Sequence, residues 1–285
     1  MPFKKTYIFI AFPQWQGYNV KFLAGETTSL FNWQLCQNVW TGKICRRITP
    51  HIVGQENSDV FDLNERALLA YDLATLLAVR IPHHKLVQFG RIGQREPLDA
   101  IDKKEFYPFE NILLSKVVGR SLQKNDYPHI NINDLMTIFV FDCWLGNFDK
   151  KDDDYIIDER GGLMTIDYQL WGPVDDSGTT LGFCARLYDL TAENSIRRAV
   201  GNSMRKVLTE NLDKANYETI VRRIESLPDR KIAKLVNKCT ILERGSKDKR
   251  INEYMIRYLI SRKKRIRQDM VNVIEILRAS SNQNV

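Results

Sequence analysis

The stretch "LGNFDKKDDDYIID", residues 145–158, holds four aspartates within six positions: Asp149, Asp152, Asp153 and Asp154. Apolar sequence flanks it, with "TIFVFDCWL" before it and "GLMTIDY" after it. Like charges this close repel one another, so the pattern predicts that a cation or a reacting proton balances them. The same pattern also predicts the local fold, namely a buried helix, then an acidic loop and then a short hairpin.

The composition is typical of a globular chain that forms one large domain or two lobes. The chain has 285 residues, of which 44% are hydrophobic and 27% charged. Its five cysteines are scattered, without a Cys-x-x-Cys pair or a Cys/His cluster, which argues against a zinc site or a disulfide framework. This cysteine usage favours a cytoplasmic protein. No apolar run approaches 18 residues, so the sequence predicts no membrane span.

The positive charge is concentrated in the C-terminal third. The net charge is +7, and from Arg186 onward 23 Lys and Arg face 12 Asp and Glu. A basic face of this kind can bind nucleic acid or an acidic partner. A solvated helix surface accounts for the same composition, so both interpretations stay open.

The N-terminal part is rich in strand signals. Aromatic and β-branched residues fill "TYIFIAF" (6–12) and "YNVKFLA" (18–24), and "NVWTGKICRRI" (38–48) predicts a strand pair that turns at Thr41-Gly42. A helix is predicted from near Asp62 to Pro82, followed by strands in "KLVQFGRI" and "NILLSKVVG". We therefore expect an α+β fold with an N-lobe over residues 1–120 that contains these strands and one helix.

Residues 121–285 are predicted to form a helical C-lobe. "NINDLMTIFVFDCWLGN" (131–147) has an Asn/Asp cap signal and an apolar body on all sides, which predicts a buried helix. "DYIID" and "GLMTIDY" predict a hairpin that turns at Arg160-Gly161-Gly162. Amphipathic helical patterns rich in Lys and Arg follow. A cleft between two such lobes is a natural ligand site.

The spacing of the acids fits phosphoryl transfer. That reaction needs a carboxylate to accept the proton of the attacking hydroxyl and oxygen ligands to hold Mg²⁺ against the phosphates. Asp149 is the candidate base, Asp154 a candidate metal ligand five residues on, and Asp167 the principal ligand thirteen residues further. Asn147 precedes the base and can orient it or the loop. A calcium-binding EF-hand does not fit, because the acids are contiguous and no central Gly or terminal Glu is present.

These residues carry a family resemblance. "LGNFDKKDDDYII" followed by "GLMTIDYQLW" resembles the catalytic segment of HipA-like serine/threonine kinases, roughly G-N-x-D-[RK]-x-x-x-N followed by an Asp-containing strand. The layout is shared with phosphatidylinositol kinases. "NERALLAYDLATLLAVRIP" resembles the family's N-lobe helix, and "RKKRIRQDMVNVI" its closing basic helix. The resemblance implies a bilobal protein-kinase-like fold, the use of ATP and Mg²⁺, and a Ser or Thr hydroxyl of a protein as acceptor.

One position departs from the family pattern, since the family has Asn where this chain has Asp154. An aspartate still offers oxygen to Mg²⁺, but it adds negative charge beside Asp152 and Asp153. The change therefore either raises metal affinity, raises the pKa of a neighbouring carboxyl, or marks a divergent enzyme of reduced activity.

The nucleotide-binding residues are predicted from the kinase layout. Lys21 in "YNVKFLAG" is the first candidate for the phosphate-binding lysine, with Glu65 as its helix partner and Lys43 in "TGKICRR" as the alternative. The strand "NILLSKVVG" fits the hinge between lobes, where backbone groups would hold adenine at Ser115, Lys116 and Val117. The chain has no complete Gly-x-Gly-x-x-Gly or Walker motif.

Two other functions stay open at this stage. One is a pseudokinase-type binding module whose basic C-terminal helices bind nucleic acid or an acidic partner. The other is a lipid or small-molecule kinase on the same scaffold. The first requires no turnover of ATP, whereas the second transfers phosphate to an acceptor that is not a protein. The sequence does not indicate the oligomeric state.

Overall fold

Two antiparallel sheets, six α-helices and three short 3₁₀-helices (Lys124–His129, Asp152–Asp154 and Leu212–Lys214) form the regular structure in the described part of the chain. The computed structural model describes residues 28–35, 38–45, 63–88, 111–116, 119–147, 150–168, 171–172, 199–238 and 250–282. In chain order the elements are β1 (Thr28–Leu35), β2 (Asn38–Cys45), α1 (Leu63–Leu76), β3 (His84–Gln88), β4 (Asn111–Lys116), β5 (Gly119–Ser121), α2 (Ile132–Leu145), β6 (Tyr155–Asp158), β7 (Leu163–Thr165), α3 (Asn202–Glu210), α4 (Glu218–Ser226), α5 (Asp229–Lys238) and α6 (Arg250–Asn282). The fold class is α+β, as predicted.

The first sheet has the strand order β1-β2-β4-β3, and all neighbours are antiparallel. The predicted turn at Thr41-Gly42 is wrong, because both residues lie inside β2. Thr41 pairs with Asn32 of β1 on one side and with Ser115 of β4 on the other. Pairing with strands on both sides holds Gly42 in an extended conformation, and the local turn propensity of Thr41-Gly42 is too weak to override this pairing. The strands predicted over 6–12 and 18–24 lie outside the described residues.

Helix α1 begins one residue from its predicted start and ends before Pro82. It terminates because Ala78 adopts a left-handed conformation with φ +55°, and the backbone N–H of Val79 returns to the carbonyl of Ala74 at 2.9 Å. Arg223 of α4 donates to the carbonyl of Leu77 at 3.2 Å. The end of α1 is therefore fixed by a cation from the helical part of the chain.

Helix α2 is the central element, as its apolar sequence predicts. The side chain of Asn131 caps its start by accepting the N–H of Asn133 at 3.0 Å. Ten of its residues are buried, all between Leu135 and Leu145. The helix packs against β7, α3, α4 and α6, so it is covered on every side and its C-terminal end is held firmly.

The second sheet has the order β5-β6-β7, and its last two strands form the predicted hairpin. The turn is built as the sequence indicates: Gly161 has φ +78°, and the Asp158 carboxylate accepts the N–H groups of Arg160 and Gly162 at 2.9 and 2.8 Å. Tyr155 and Ile157 of β6 point into the core, whereas Ile156 and Asp158 are half-buried. The hairpin therefore lies against the core directly after the acidic loop.

The four C-terminal helices use part of their positive charge internally. Arg267 of α6 bridges Glu218 and Glu225 of α4 at 2.8 and 2.7 Å, and Lys263 pairs with Asp229 of α5. The basic excess of this region is thus partly neutralised by ion pairs between helices. None of the described helices combines the length and apolarity needed to cross a bilayer.

Candidate active site

The acidic loop starts from a tightly held helix end. Helix α2 stops at Gly146, whose left-handed φ of +74° lets its N–H return to the carbonyl of Asp142 at 2.9 Å. The next residue, Asn147, is buried, and its N–H also bonds to that carbonyl at 2.9 Å. Its side-chain amide donates to Asp142 Oδ1 at 3.1 Å. Asn147 thus anchors the start of the loop to the end of α2.

A second anchor is the side chain of Lys150, which is fully buried. Its ammonium donates to Thr165 Oγ1 at 2.8 Å and to the carbonyl of Ile166 at 2.9 Å. It lies 3.8 Å from Asp142 Oδ2 and 4.3 Å from the centre of the Tyr168 ring. This one side chain therefore connects the loop to the end of α2 and to the segment that follows β7.

The clustered acids Asp152, Asp153 and Asp154 have separate surroundings. The carboxylate of Asp152 accepts the N–H of Ser203 at 3.1 and 3.2 Å, at the N-terminus of α3, where a negative charge is favourable. Asp153 is exposed, whereas Asp154 is buried and its Oδ2 accepts the N–H of Lys151 at 2.8 Å. The mutual repulsion expected from the sequence is thus relieved in part by backbone N–H groups.

Asp154 and Asp167 come together through the hairpin backbone. In the ladder between β6 and β7, Tyr155 pairs with Thr165, and the N–H of Ile166 continues it by bonding to the carbonyl of Asp154 at 2.9 Å. Asp167 is the next residue and has φ +63°, a left-handed conformation that few non-glycine residues adopt. The two candidate metal ligands thus lie close together in the backbone, one of them at a turn that requires special geometry.

Burial governs the electrostatics beneath the loop. Removal from water raises the pKa of the Asp142 carboxyl to about 6, against the opposing pull of the Lys150 ammonium and the Asn147 amide. Burial also raises the pKa of the Tyr168 hydroxyl well above its usual range, and the negative charge of Asp142 acts in the same direction. The base of the loop is thus a dry, low-dielectric environment in which charges interact strongly.

The predicted nucleotide-binding residues are only partly within the described residues. Lys43 lies in β2 opposite Leu113 of β4, and Ser115 and Lys116 lie two and three residues further along β4. Glu65 lies in the first turn of α1. The structure therefore puts the alternative lysine and two hinge residues on adjacent strands of one sheet. Lys21, Val117 and the candidate base Asp149 lie outside the described residues.

Among the described residues, no group of three or more His, Cys, Asp or Glu side chains is arranged to hold a metal ion. This finding does not include Asp149. Mg²⁺ that bridges nucleotide phosphates is held by one or two carboxylates, which is fewer than three protein ligands. Asp154 and Asp167 supply two carboxylates, which are ligands of the hard oxygen type that Mg²⁺ prefers. The oxygen chemistry of these two candidate ligands therefore fits Mg²⁺.

Sequence reasoning missed the role of Lys150. A lysine in a polar loop is normally solvated, and nothing in "DKKDDD" distinguishes Lys150 from Lys151. One signal was present, namely Asp142 on a helix that is otherwise apolar, because a buried carboxylate requires a nearby cation or donor. That signal predicts that a partner exists but not which residue supplies it.

No family model matches the sequence, and no curated protein sequence matches it. Among solved structures, the chain is similar to the crystal structure of a Helicobacter pylori proinflammatory kinase, CtkA. The TM-score is 0.43 at 10% identity, and the match covers 92% of this chain and 94% of that one. This similarity is too low to assign a common fold, so the case for function rests on the chain's own residues.

Proposed function

We propose that this chain is an ATP- and Mg²⁺-dependent phosphotransferase of bilobal, protein-kinase-like fold that transfers phosphate to a Ser or Thr hydroxyl of a protein. Asp149 would accept the proton of the attacking hydroxyl, and Asp154 and Asp167 would hold Mg²⁺. Lys21 or Lys43 would neutralise phosphate charge, with Glu65 as the partner of the lysine.

The hydrogen bond between Ile166 and Asp154 is the observation on which the proposal depends. It joins two segments that are twelve residues apart in the chain and brings the backbone of Asp154 next to that of Asp167. Phosphoryl transfer needs its acids to converge on one place, because catalysis consists mainly of positioning and charge stabilisation. The left-handed conformation of Asp167 adds support, since unusual backbone conformations cluster at functional sites.

The anchoring of the loop on both sides of Asp149 agrees with a role as general base. The preceding Asn147 and the following Lys150 are both buried and bonded to the protein interior. Proton transfer requires the base to lie within hydrogen-bond reach of the incoming hydroxyl, so a loop fixed at Asn147 and Lys150 favours this role.

Mg²⁺, when bound with the nucleotide, would neutralise charge on the phosphates during transfer. The residues around its proposed ligands hold these ligands in place. The N–H of Lys151 fixes one oxygen of Asp154 at 2.8 Å, and the Lys150 ammonium bonds to the carbonyl before Asp167 at 2.9 Å. Supporting contacts of this kind orient metal ligands, and the loss of one typically lowers metal affinity or activity about 10- to 100-fold.

The test is transfer of label from γ-³²P-ATP in the presence of Mg²⁺ and generic protein acceptors. Separate analysis of the protein, lipid and small-molecule fractions identifies the class of acceptor. We expect label in Ser and Thr of protein. We also expect Asp149→Asn and Asp167→Asn to lower the rate by about 10²- to 10⁴-fold, because each removes a group on which the chemical step depends.

Asp153→Asn is the matched control, because it makes the same change of charge at an exposed position of the same loop. It should transfer label at the wild-type rate. Undiminished transfer by both the Asp149 and the Asp167 variants would refute the assignment of these acids. Label confined to lipid or metabolite would refute the protein acceptor, and no transfer by the wild-type chain would favour a pseudokinase-type binding module.

A further inference from the structure

The Lys150 side chain makes directed bonds that charge balance alone does not require. Its ammonium lies 3.8 Å from Asp142 Oδ2, which is longer than a hydrogen bond. Its two hydrogen bonds, at 2.8 and 2.9 Å, go instead to Thr165 and Ile166. Asp142 thus supplies compensating charge, while the hydrogen bonds of the ammonium hold the end of β7.

These bonds join the neighbours of two acids. Lys150 directly follows Asp149 in the chain, and Ile166 directly precedes Asp167. The Lys150–Ile166 bond therefore connects the loop that carries the candidate base to the segment that carries the candidate metal ligand. The N–H of Ile166 is bonded to Asp154, so the peptide units on both sides of Ile166 are held.

We propose that Lys150 is a positioning residue that sets the separation of Asp149 and Asp167 by holding the loop against the end of β7. This inference rests on the proposed phosphotransferase function. Lys150 is not placed to contact substrate, since its side chain is fully buried and, among the described residues, its ammonium lies against Asp142, Thr165, Ile166 and Tyr168. It acts through the backbone on each side of it.

A purely structural role for the Asp142–Lys150 pair makes a different prediction. If Lys150 served only to neutralise Asp142, a variant with neither charge would be stable and fully active. If Lys150 positions the acids, that variant regains stability, but the bonds to Thr165 and Ile166 stay absent and the reaction stays slow. Stability and kcat therefore separate the two roles.

The experiment compares Lys150→Met, Asp142→Asn and the double variant with the wild type. Lys206→Met, at a lysine whose side chain is 78% exposed on α3, is the matched control. For each we would measure urea unfolding, kcat and KM for ATP, and hydrogen exchange of the Ile166 amide. That amide reports the bond to Asp154 whether or not the protein is active.

We expect Lys150→Met to be destabilised and the double variant to recover most of the stability. In both, kcat should fall by about 100-fold, as expected for misplacement of reacting groups by about 1 Å, with KM for ATP changed by less than about threefold. The Ile166 amide should exchange faster in both, and Lys206→Met should match the wild type.

Two results overturn the inference and are distinguishable from each other. If the wild type transfers phosphate and the folded double variant has the same kcat and the same Ile166 exchange, Lys150 has no positioning role and the proposed function stands. If the wild type transfers no phosphate, the proposed function fails and the positioning role fails with it.

Discussion

The long C-terminal helix should stabilise the chain by capping α2, and Arg262 carries most of that effect. Its guanidinium donates from Nε to the carbonyl of Trp144 at 2.7 Å and also to the carbonyl of Cys143. Tyr258 donates its hydroxyl to the carbonyl of Leu145 at 3.0 Å. Most carbonyls of a last helical turn have no partner within their own helix, although that of Cys143 also accepts the N–H of Gly146 at 3.2 Å. Helix α6 therefore supplements the hydrogen bonding at the end of α2.

The loss of stability expected when Arg262 is replaced follows from these contacts. A hydrogen bond from a charged donor contributes about 1.5–3 kcal/mol, and a cation at a helix C-terminus adds about 0.3–1 kcal/mol. Because the Arg262 side chain is only half-buried, solvent recovers part of the loss. We therefore expect Arg262→Met to lower the free energy of unfolding by about 2–4 kcal/mol. Arg262→Lys keeps the charge but loses the planar two-donor geometry, so its loss should be intermediate.

The assay is urea unfolding followed by far-UV circular dichroism, with tryptophan fluorescence as a second signal to check for a single transition. Arg257→Met is the matched control on the same helix, because its side chain is 81% exposed and its pairing with Glu253 is loose, at 3.8 Å. Arg257→Met should lower the free energy of unfolding by no more than about 0.5 kcal/mol. If Arg262→Met differed from this control by less than 0.5 kcal/mol or so, the capping argument would be wrong.

Three further predictions concern the loop and its base. Asp152→Ala should lower the free energy of unfolding by about 1–2 kcal/mol, because Asp152 caps α3. Asp153→Ala, at an exposed position, should change it by less than about 0.5 kcal/mol. Equal losses for the two variants in urea titrations would contradict the capping role of Asp152. Gly201→Ala should lower the free energy of unfolding by about 1–2 kcal/mol, because Gly201 has φ +72° and an added Cβ would lie 2.7 Å from Asp152 Oδ1. This loss should be smaller when Asp152 is also replaced by Ala. The pKa of Asp142 is raised to about 6 in the folded chain, so the folded state binds its proton more tightly than the unfolded state does. Stability of the wild type should therefore fall, relative to Asp142→Asn, by on the order of 2 kcal/mol as the pH rises from about 4 to about 6. Melting temperatures of the two proteins that stay parallel over this range would rule out this pKa shift.

Local sequence signals were sufficient for the elements that position the site. The apolar body and Asn131 cap of α2 predicted a buried helix, and Arg160-Gly161-Gly162 predicted the hairpin turn. Both depend on interactions within a few residues, namely capping, turn geometry and side-chain periodicity. The predicted turn at Thr41-Gly42 failed because its outcome depends on pairing with β4, some seventy residues away in the chain.

Other contacts between distant segments could not be predicted from the sequence for the same reason. Arg262 caps a helix 118 residues earlier in the chain, and Asp152 caps one that begins 50 residues later. Neither residue differs in type from its neighbours in the chain, "RKKR" in one case and "DDD" in the other. Which member of such a run is buried is decided by tertiary packing, which one sequence without its fold does not reveal.

The acidic loop illustrates why the number of acids alone is a weak guide to metal binding. Asp152 is stabilised by the N-terminus of α3, and Asp153 is exposed to solvent, so neither needs a bound cation to relieve its charge. Asp154 differs, because it is buried and its backbone is bonded to the residue before Asp167. The proposed divalent ion therefore requires only Asp154 and Asp167, whose backbones the hairpin brings together, and the same two ligands would remain if the loop carried two fewer aspartates.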